Sequence, residues 1–341
     1  MAAYKTLKGQ SIRQVAQDPT NPLIGEIWYN TTSGSLKVYR NIGAAISSGG
    51  NLNTGRRNLA GTGTQTAGLA IAGGPTSIAN VEEYNGTAWS EETDIPQATQ
   101  QICGAGTQTA TAAFGGQVVP PFGDIQAETY EYDGSSWTNG GNMGTGRYNG
   151  GGCGTQTAAL ATGGTTVNPS PPPNFKGRNL TEEYGGTSWT AGGTYPIEVS
   201  GVRTVGTQTA ALASGGAQAG AWIVSTVNEY DGSSWTAGGS MSQQNDSGGT
   251  SGVQTAAIYA GGYGGPAAPT SDVRSRIEIY NGSSWSTETA TLTIARSELA
   301  ASNSGPSTST MFFGGPSPTG ASQLTEEYTD PSFGVQKITT S

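Results

Sequence analysis

The sequence contains no histidine, only two cysteines and few charged residues. Without imidazole, the copper and zinc sites that depend on histidine are excluded, and the cysteines show no metal-ligand spacing. We therefore predict no metal and no cofactor. Cys103 and Cys153 each precede the same short motif in neighbouring segments of the chain. Two free, buried thiols are favoured, and a disulfide between them is the alternative.

Large aliphatic side chains are also scarce, since Leu, Ile, Val and Phe together number 49 of 341 residues. Disordered chains share this scarcity, but they also carry a strong net charge, and here the net charge is −9. Glycines and tryptophans recur at regular intervals, which a disordered chain has no reason to maintain. The sequence therefore predicts a folded chain whose core is built from Ala, Gly, Tyr and Trp.

The sequence has no run of 18 apolar residues, so we expect no transmembrane helix and no membrane insertion. The excess of 24 acidic over 15 basic residues argues against nucleic acid as a partner, because phosphates require a basic face. Residues 1–17 lack the apolar core of a signal peptide. The body is nevertheless rich in Ser, Thr, Gly and Asn, as surfaces that work outside cells often are. Release by lysis, as for a part of a virus particle, would reconcile these features.

An internal repeat dominates the chain. The string GTQTA, or GVQTA in the last copy, recurs at 63–67, 106–110, 154–158, 206–210 and 252–256. Each copy is followed by a short apolar run into Gly-Gly, a variable loop, an acidic stretch that ends in Tyr, a tight turn and Trp. A sixth, degraded unit reads GPSTSTMFFGG at 305–315 and TEEYTD at 325–330, without the Trp.

Successive tryptophans of the repeats are 48, 52, 46 and 50 residues apart, a period that fits four short strands and their turns. We assign strand A to the Gly-rich segment before GTQT, strand B to the run into Gly-Gly, strand C to the segment ending in Tyr, and strand D to the run through Trp. Asn-Gly and Asp-Gly pairs between C and D favour tight hairpins. Helical periodicity of comparable strength is not found, so the predicted fold class is all-β.

The Gly-Gly pair that ends strand B, followed by Tyr and then by Trp about five residues later, resembles the kelch repeat. The resemblance covers about residues 54–335 and implies a six-bladed β-propeller. An Arg before strand A in units one and three (Arg56 or Arg57, and Arg147) adds to it. The sixth unit departs from the pattern because it lacks the Trp, so its outer strand is not identified.

The repeated residues suggest structural roles. Gly-Gly is predicted to supply a backbone conformation that other residues resist at the exit from strand B. Tyr and Trp are predicted to fill the space between neighbouring blades, and small residues near GTQT to let strands approach closely. The repeated Gln is interpreted as a structural amide that bonds the backbone of the A–B turn. The less favoured alternative is a ring of amides around the channel mouth, formed by the Gln at 65, 108, 156, 208 and 254.

Alternating strand direction places the A–B and C–D turns on one face, and the B–C loops and D–A linkers on the other. The second set is long and variable, which favours it for binding. Aromatic side chains there are suited to contact sugar rings or a protein partner, although they would equally serve to pin their own loops. The candidate binding residues are Phe122, Asp124, Asn174, Phe175, Lys176, Trp222 and Tyr263.

Residues 25–40, GEIWYNTTSGSLKVYR, alternate apolar and polar residues around a Thr-Ser-Gly turn and predict a β-hairpin. With the preceding DPTNPLI, this segment resembles a hairpin module of tailed-bacteriophage structural proteins, especially those of marine cyanobacteria. The resemblance covers about forty residues and implies a virion component docked through this segment; a hairpin that completes or caps a blade is the alternative. Four of its apolar residues are expected to share one packed face: Ile27, Tyr29, Leu36 and Val38. The docking candidates are these four together with Trp28 and Tyr39.

The expected domains are an N-terminal docking segment, 1–48, and a six-bladed propeller, 49–341, with residues 41–54 as a linker. Catalysis is not expected. Copper-dependent kelch oxidases need histidine, and the DGSSW turns, which resemble the sialidase Asp-box, are explained by hairpin geometry. Catalytic carboxylates should break the repeat, whereas the acidic pairs follow it, as at Glu82, Glu83, Glu182, Glu183, Glu326 and Glu327.

The favoured function is that of a non-enzymatic virion protein on the outer surface of the particle, as a tail fibre, tail tip or head decoration. Its expected partners are other virion proteins and a glycan or protein receptor on the host, and several copies are expected around a symmetry axis as a homo-oligomer. The first alternative is a cellular, exported propeller for carbohydrate binding or adhesion. A glycan-active enzyme is the second.

Overall fold

The computed structural model describes residues 12–23, 25–41, 43–119, 124–166, 177–218, 222–265, 272–317, 320–330 and 333–338. Within these ranges the chain forms β-strands and no helix, so the predicted all-β fold class is confirmed. Accordingly, none of these ranges contains a helix that is long and apolar enough to cross a membrane.

The strands are numbered in chain order and most of them belong to four-stranded sheets. The first four strands are β1 (Arg13–Val15), β2 (Ile27–Asn30), β3 (Ser35–Asn41) and β4 (Ala45–Ser48). Sheet I comprises β5 (Ala60–Thr64), β6 (Ala67–Gly73), β7 (Ile78–Tyr84) and β8 (Trp89–Glu91). Sheet II comprises β9 (Cys103–Thr107), β10 (Ala110–Phe114), β13 (Thr129–Tyr132) and β14 (Trp137–Asn139), with β11 (Gln117–Val118) and β12 (Asp124–Ile125) in its loop. Sheet III comprises β15 (Gly151–Thr155), β16 (Ala158–Thr162), β17 (Thr181–Tyr184) and β18 (Trp189–Ala191).

The later sheets repeat this arrangement. Sheet IV comprises β19 (Arg203–Thr207), β20 (Ala210–Ser214), β23 (Val227–Tyr230) and β24 (Trp235–Ala237), with β21 (Ala217–Gln218) and β22 (Trp222–Ile223) in its loop. Sheet V comprises β25 (Gly249–Val253), β26 (Ala256–Ala260), β27 (Arg276–Tyr280) and β28 (Trp285–Thr291). Sheet VI contains β29 (Leu299–Ala301), β30 (Ser309–Gly314) and β33 (Thr325–Thr329), with β31 (Pro316–Ser317) and β32 (Gly320–Ala321) in its loop; the last strand is β34 (Phe333–Lys337).

The chain divides into two compact units. The terminal unit comprises the described parts of 1–45 and 330–341, and the central unit comprises those of 46–329. The terminal unit contains a sheet with the order β1-β2-β3-β34, in which only β1 and β2 run parallel. Residues 333–337, which the sequence analysis assigned to the propeller domain, therefore pair with a strand from the other end of the chain.

Strand β4 completes sheet VI, where it lies beside β33 in the position that the D strand occupies in the other sheets. Just after β4, the N–H of Gly49 donates to the carbonyl of Thr325 at 2.9 Å. The sixth repeat thus obtains its outer strand from the opposite end of the chain, which explains why no Trp follows Tyr328. The interpretation of residues 41–54 as a linker is wrong for 45–48, because the edge of β33 offers them a strand partner.

Backbone hydrogen bonds link the six sheets of the central unit in a closed cycle. One residue just before each A strand donates its N–H to the carbonyl of the equivalent residue in the preceding sheet. The six bonds are Asn58 to Glu298 (2.9 Å), Gln101 to Asn58 (2.7 Å), Asn149 to Gln101 (3.0 Å), Gly201 to Asn149 (2.7 Å), Ser247 to Gly201 (3.3 Å) and Glu298 to Ser247 (2.7 Å). We call these six residues the axial cycle, and their φ angles lie between 52° and 68°.

Tyrosines at the ends of the C strands bind the preceding sheet. Tyr184 donates its hydroxyl to Glu131 at 2.6 Å, and the Trp189 indole N–H donates to Thr129 at 2.8 Å. The rings of Tyr184 and Trp189 lie 5.0 Å apart between centroids. The same tyrosine bond recurs at Tyr84–Glu327 (2.7 Å), Tyr132–Glu83 (3.1 Å), Tyr230–Glu183 (2.6 Å) and Tyr280–Glu229 (2.6 Å). The prediction that Tyr and Trp fill the space between sheets is confirmed.

The repeated glutamine also binds the preceding sheet. Gln156 donates its side-chain amide to the carbonyls of Tyr132 at 2.6 Å and Thr111 at 3.4 Å. The other copies donate in the same way to the carbonyl of a C-strand tyrosine, in the pairs Gln65–Tyr328, Gln108–Tyr84, Gln208–Tyr184 and Gln254–Tyr230. The structural interpretation is confirmed, but the expected acceptor in the glutamine's own A–B turn is wrong. The long side chain reaches across the inter-sheet gap instead.

The repeated acidic pairs have structural partners. The first Glu of three pairs forms a buried ion pair with an arginine, as Arg56–Glu82 at 2.7 Å, Arg147–Glu182 at 2.6 Å, and Arg296–Glu326. The second Glu of a pair accepts the tyrosine hydroxyl described above. Removal of one partner from a buried ion pair leaves an uncompensated charge, so these contacts fix the geometry of their sheets.

Two smaller predictions concern glycine and cysteine. Gly115 and Gly116, at the end of strand B in sheet II, have φ angles of 68° and 99°, and a Cβ on Gly116 would lie 2.5 Å from the Thr99 hydroxyl. The predicted need for glycine at this exit is confirmed. Both cysteines are free; Cys153 is buried and Cys103 is partly buried.

Substitution Gln156→Ala is predicted to lower the melting temperature, because it leaves two carbonyls between sheets II and III without their donor. The loss should be about 1–2 kcal/mol, or a few degrees in a domain of this size. Thermal unfolding followed by circular dichroism measures it. Gln243→Ala, at an exposed glutamine, is the matched control and should melt as the parent does. An unchanged melting temperature for Gln156→Ala would contradict the inter-sheet role.

Alkaline pH is predicted to destabilise the central unit. Burial, together with the hydrogen bond to Glu131, raises the pKa of Tyr184 to about 12, and a similar environment raises the pKa of Tyr230 to about 12. A raised pKa favours the neutral phenol in the folded state, so this stabilisation is complete below the ordinary value of 10 and is lost between pH 10 and pH 12. Melting temperatures over that range, with tyrosine ionisation followed by absorbance, test this. Tyr184→Phe should show a shallower decline, and a flat profile would refute the prediction.

Candidate functional site: the loop face and the axial cavity

The B–C loops and the D–A linkers lie on one face of the central unit, which we call the loop face. Several of these loops continue as small two-stranded extensions, formed by β11–β12, β21–β22 and β31–β32. Sheets III and V have a single bridge at the same place, Thr165 with Gly177 and Tyr263 with Val273. The variable loops therefore rise from ordered stems.

The stems of sheets II, III, IV and V are also tied to the neighbouring linker. Gln117 bridges to Gln100, and Tyr263 bridges to Asp246 through two backbone hydrogen bonds of 2.9 and 2.7 Å. Equivalent bridges join Tyr148 to Thr165 and Ser200 to Ala217. Because the stem is already fixed by these bridges, it loses little conformational entropy when its loop binds a partner.

The structure places only some of the predicted loop residues. Phe122, Asn174, Phe175 and Lys176 lie outside the described residues. Asp124 begins β12 and is exposed, Trp222 pairs with Gln218 in the β21–β22 extension, and Tyr263 is half-buried beside Asp246. These three belong to the loops of different sheets, II, IV and V.

A cavity of about 70 Å³ lies on the axis of the central unit, and all six A strands contribute to its wall. Neighbouring A strands approach so closely around the cavity that only glycine fits at some positions. A Cβ on Gly151 would lie 2.1 Å from the Thr204 hydroxyl, and one on Gly61 would lie 2.4 Å from the Ala301 carbonyl. At the loop face the cavity is bordered by Asn58, Gln101 and Asn149 of the axial cycle. The polar side chains of the lining are completed by Arg203, Thr204, Thr250 and Asn303.

The turn Ser302–Gly305 closes the opposite end of the cavity. Asn303 donates its side-chain amide to the carbonyls of Gly104 at 3.0 Å and Gly152 at 3.4 Å, in sheets II and III across the axis from its own sheet VI. Ser251 of sheet V holds the same turn through its hydroxyl, which donates to the carbonyls of Ser302 at 2.6 Å and Gly305 at 3.0 Å. We call this turn the axial plug. It leads into the segment of unit six that stands where GTQT stands in the other units.

The electrostatics of the cavity rest on one charged side chain. Arg203 donates its Nε to the carbonyl of Gly248 at 2.7 Å. No carboxylate belongs to the cavity lining. The nearby Asp246 has a pKa raised by burial, against the opposing effects of its bond from Ser247 and of the Arg203 charge. Within the described ranges, no cluster of His, Cys, Asp and Glu is arranged to hold a metal ion.

Sequence reasoning missed the axial cavity. The axial cycle contains five different residue types, so it leaves no repeated signal in the sequence. Arg203 is the first residue of the A strand of sheet IV, and the other A strands begin with Ala60, Cys103, Gly151, Gly249 and Leu299. The degraded GTQT of unit six, which begins at Gly305, was visible in the sequence, but only the structure shows that the residues leading into it, Ser302–Gly305, form the plug.

The docking candidates of the terminal unit divide between two faces of its sheet. Trp28 is fully buried and donates its indole N–H to Asp18 at 2.9 Å, and the same carboxylate binds Lys37 at 2.6 Å. Tyr29 lies on the other face and is 38% exposed. Of the remaining candidates, Leu36 is buried, and the half-buried ones are Ile27, Val38 and Tyr39.

Register confirms that four of these residues share a face, since Ile27 lies opposite Val38 and Tyr29 lies opposite Leu36. That face is only partly covered. A groove of about 300 Å³ runs along it, lined by Ile12, Gln14, Tyr29 and Leu36. The exposed tyrosine and the groove make this face, rather than Trp28, an accessible apolar surface of the terminal unit.

Comparison with known proteins gives a fold and no family. The chain matches no protein-family profile and no curated protein. Among solved structures it is similar to YjhT, with a TM-score of 0.69 and 14% sequence identity over 86% of this chain and 100% of that one. The likeness and the four-stranded antiparallel sheets together show that the chain has a β-propeller-like fold.

Proposed function

We propose that the chain is a six-bladed, kelch-like β-propeller that serves as a non-enzymatic structural protein of a phage virion. It docks through its terminal unit and presents the loop face to a glycan or protein on the host surface. The observation that carries this proposal is the contrast between two faces of one scaffold. One face consists of uniform turns, and the other consists of dissimilar loops on fixed stems.

The blade count is supported by the six four-stranded sheets and by the six residues of the axial cycle. The kelch assignment is supported by the positions of the repeated residues, since Gly-Gly ends each B strand and the Tyr–Trp pair lies between sheets. The axial cycle joins sheet VI to sheet I, which is the closure that a propeller requires.

The virion assignment is supported by the N-terminal segment. The hairpin module that resembles phage structural proteins is β2–β3, and it lies in a unit of its own with a partly exposed apolar face. Several copies of the protein around a virion symmetry axis would place several loop faces against the host, and multiple weak contacts would then add by avidity. A tail fibre, a tail tip and a head decoration all use a protein in this way.

Shortening the loop of sheet III is predicted to reduce adsorption of particles to host cells tenfold or more. Thr165 and Gly177 are bridge partners, so residues 166–176 can be replaced by Asn-Gly as a two-residue hairpin without breaking the sheet. Adsorption counts and glycan arrays measure the effect. The control is a four-residue Gly-Ser insertion between Gly185 and Gly186, in the same sheet but at the opposite face. Unchanged adsorption of the shortened variant would argue against a receptor role for this loop.

The substitution Tyr29→Glu is predicted to reduce incorporation of the protein into particles severalfold, because it places a charge on the accessible apolar face of the terminal unit. The amount of protein in purified particles, normalised to a capsid protein, measures incorporation. Ser33→Glu, in the exposed turn of the same hairpin, is the matched control and should incorporate normally. Equal incorporation of both variants would refute docking through this face.

A further inference from the structure

The axial cavity has an unusual charge balance for an acidic protein. Arg203 is its only ionisable lining residue, and the other polar lining groups are amides, hydroxyls and backbone. Within the described ranges, the terminal guanidinium nitrogens of Arg203 have no hydrogen-bond acceptor and no ion-pair partner in the protein. A cation enclosed by a low-dielectric wall attracts an anion more strongly than the same cation does in water.

The size of the cavity limits what can enter. A volume of about 70 Å³ corresponds to roughly five or six buried water molecules at about 10–15 Å³ each. A group of four or five non-hydrogen atoms fits this space, whereas a hexose ring does not. The axial plug closes one end, so a ligand enters from the loop face, past Asn58, Gln101 and Asn149.

We propose that the axial cavity binds a compact carboxylate, which Arg203 holds as a bidentate partner. Amide groups of Asn58 and Asn149 lie at the entrance, where they can donate to the same oxygens. Planar carboxylates match the guanidinium fork. The carboxylate is either a free small acid or the acid group of a larger molecule that stays on the loop face. This inference does not depend on a virion role.

Nearby carboxylates do not occupy the guanidinium. Glu298 forms an ion pair with Arg57 at 3.4 Å, and the Asp246 carboxyl accepts a hydrogen bond from Ser247 at 2.8 Å. Neither residue belongs to the cavity lining. The cavity therefore presents its positive group to the loop face.

Titration of the full chain with acetate, in a buffer free of other carboxylates, tests the proposal by calorimetry and by ligand-observed NMR. Saturable binding at one site per chain is expected, in the millimolar range for so small a ligand. Arg203→Met should weaken binding at least tenfold. Arg178→Met is the matched control, because Arg178 is also half-buried on the loop face, binds Thr166 through its Nε, and lies outside the cavity.

A second variant keeps the test decisive if Arg203→Met fails to fold. Asn149→Asp preserves size and tolerance of the left-handed backbone, but it places a negative charge at the entrance and should weaken acetate binding at least tenfold. Asn85→Asp is its control, because Asn85 lies in an exposed turn on the opposite face, where sheets II and IV already carry Asp133 and Asp231.

The outcomes separate the possibilities. Binding of both acetate and galacturonate would assign the carboxylate to a larger molecule, and binding of acetate alone would assign it to a free acid. No saturable acetate binding, phosphate binding without acetate binding, or equal binding by parent and Asn149→Asp would each overturn the proposal. Normal host adsorption of a variant that has lost acetate binding would leave the proposed virion function intact. Loss of host adsorption by a variant that still binds acetate would count against the virion function and leave the carboxylate site intact.

Discussion

The structure depends on polar contacts that each sheet makes with the sheet before it. Large aliphatic residues are too few to hold the sheets together by apolar burial alone. Tyrosine hydroxyls, glutamine amides and indole N–H groups cross each gap instead, and most find their acceptors at distances of 2.6 to 3.1 Å. Such bonds are worth little when formed in water but are costly to leave unmade once buried. If one sheet were missing, its neighbour would bury donors and acceptors without partners. The repeats therefore favour a closed ring of sheets.

The repeats made the architecture predictable, because spacing, Gly-Gly pairs and Asn-Gly or Asp-Gly turns are local signals. The number of strands per unit and the position of Tyr and Trp between sheets followed from them. The acceptor of Gln156 did not, because a local pattern cannot say which of two adjacent backbones a long side chain will reach. Strand β4 was missed for a related reason: its partner lies some 280 positions away in the sequence, and no repeat marks it.

The candidate site was less predictable than the fold. The variable loops drew attention to the loop face, yet the residues of the axial cavity vary from unit to unit. Asn58, Gly201 and Glu298 share a backbone conformation and a bonding role without sharing a side chain. Departure from the repeat was itself informative in the sixth unit, where the degraded GTQT begins at the end of the axial plug. In a symmetric scaffold, positions that break the pattern are the natural places for a single ligand to be recognised.

The origin of the sixth outer strand has a consequence for biosynthesis. Strand β4 leaves the ribosome early, but its partner β33 follows tens of seconds later at about 5–20 residues per second. During that interval the Tyr84 hydroxyl and the Trp89 indole N–H of sheet I lack their acceptors, because Glu327 and Thr325 have not yet been synthesised. The nascent chain can thus stack five sheets in order while its first and last edges stay open. Closure must therefore follow the synthesis of β33, and chaperones that shield strand edges would act in this window.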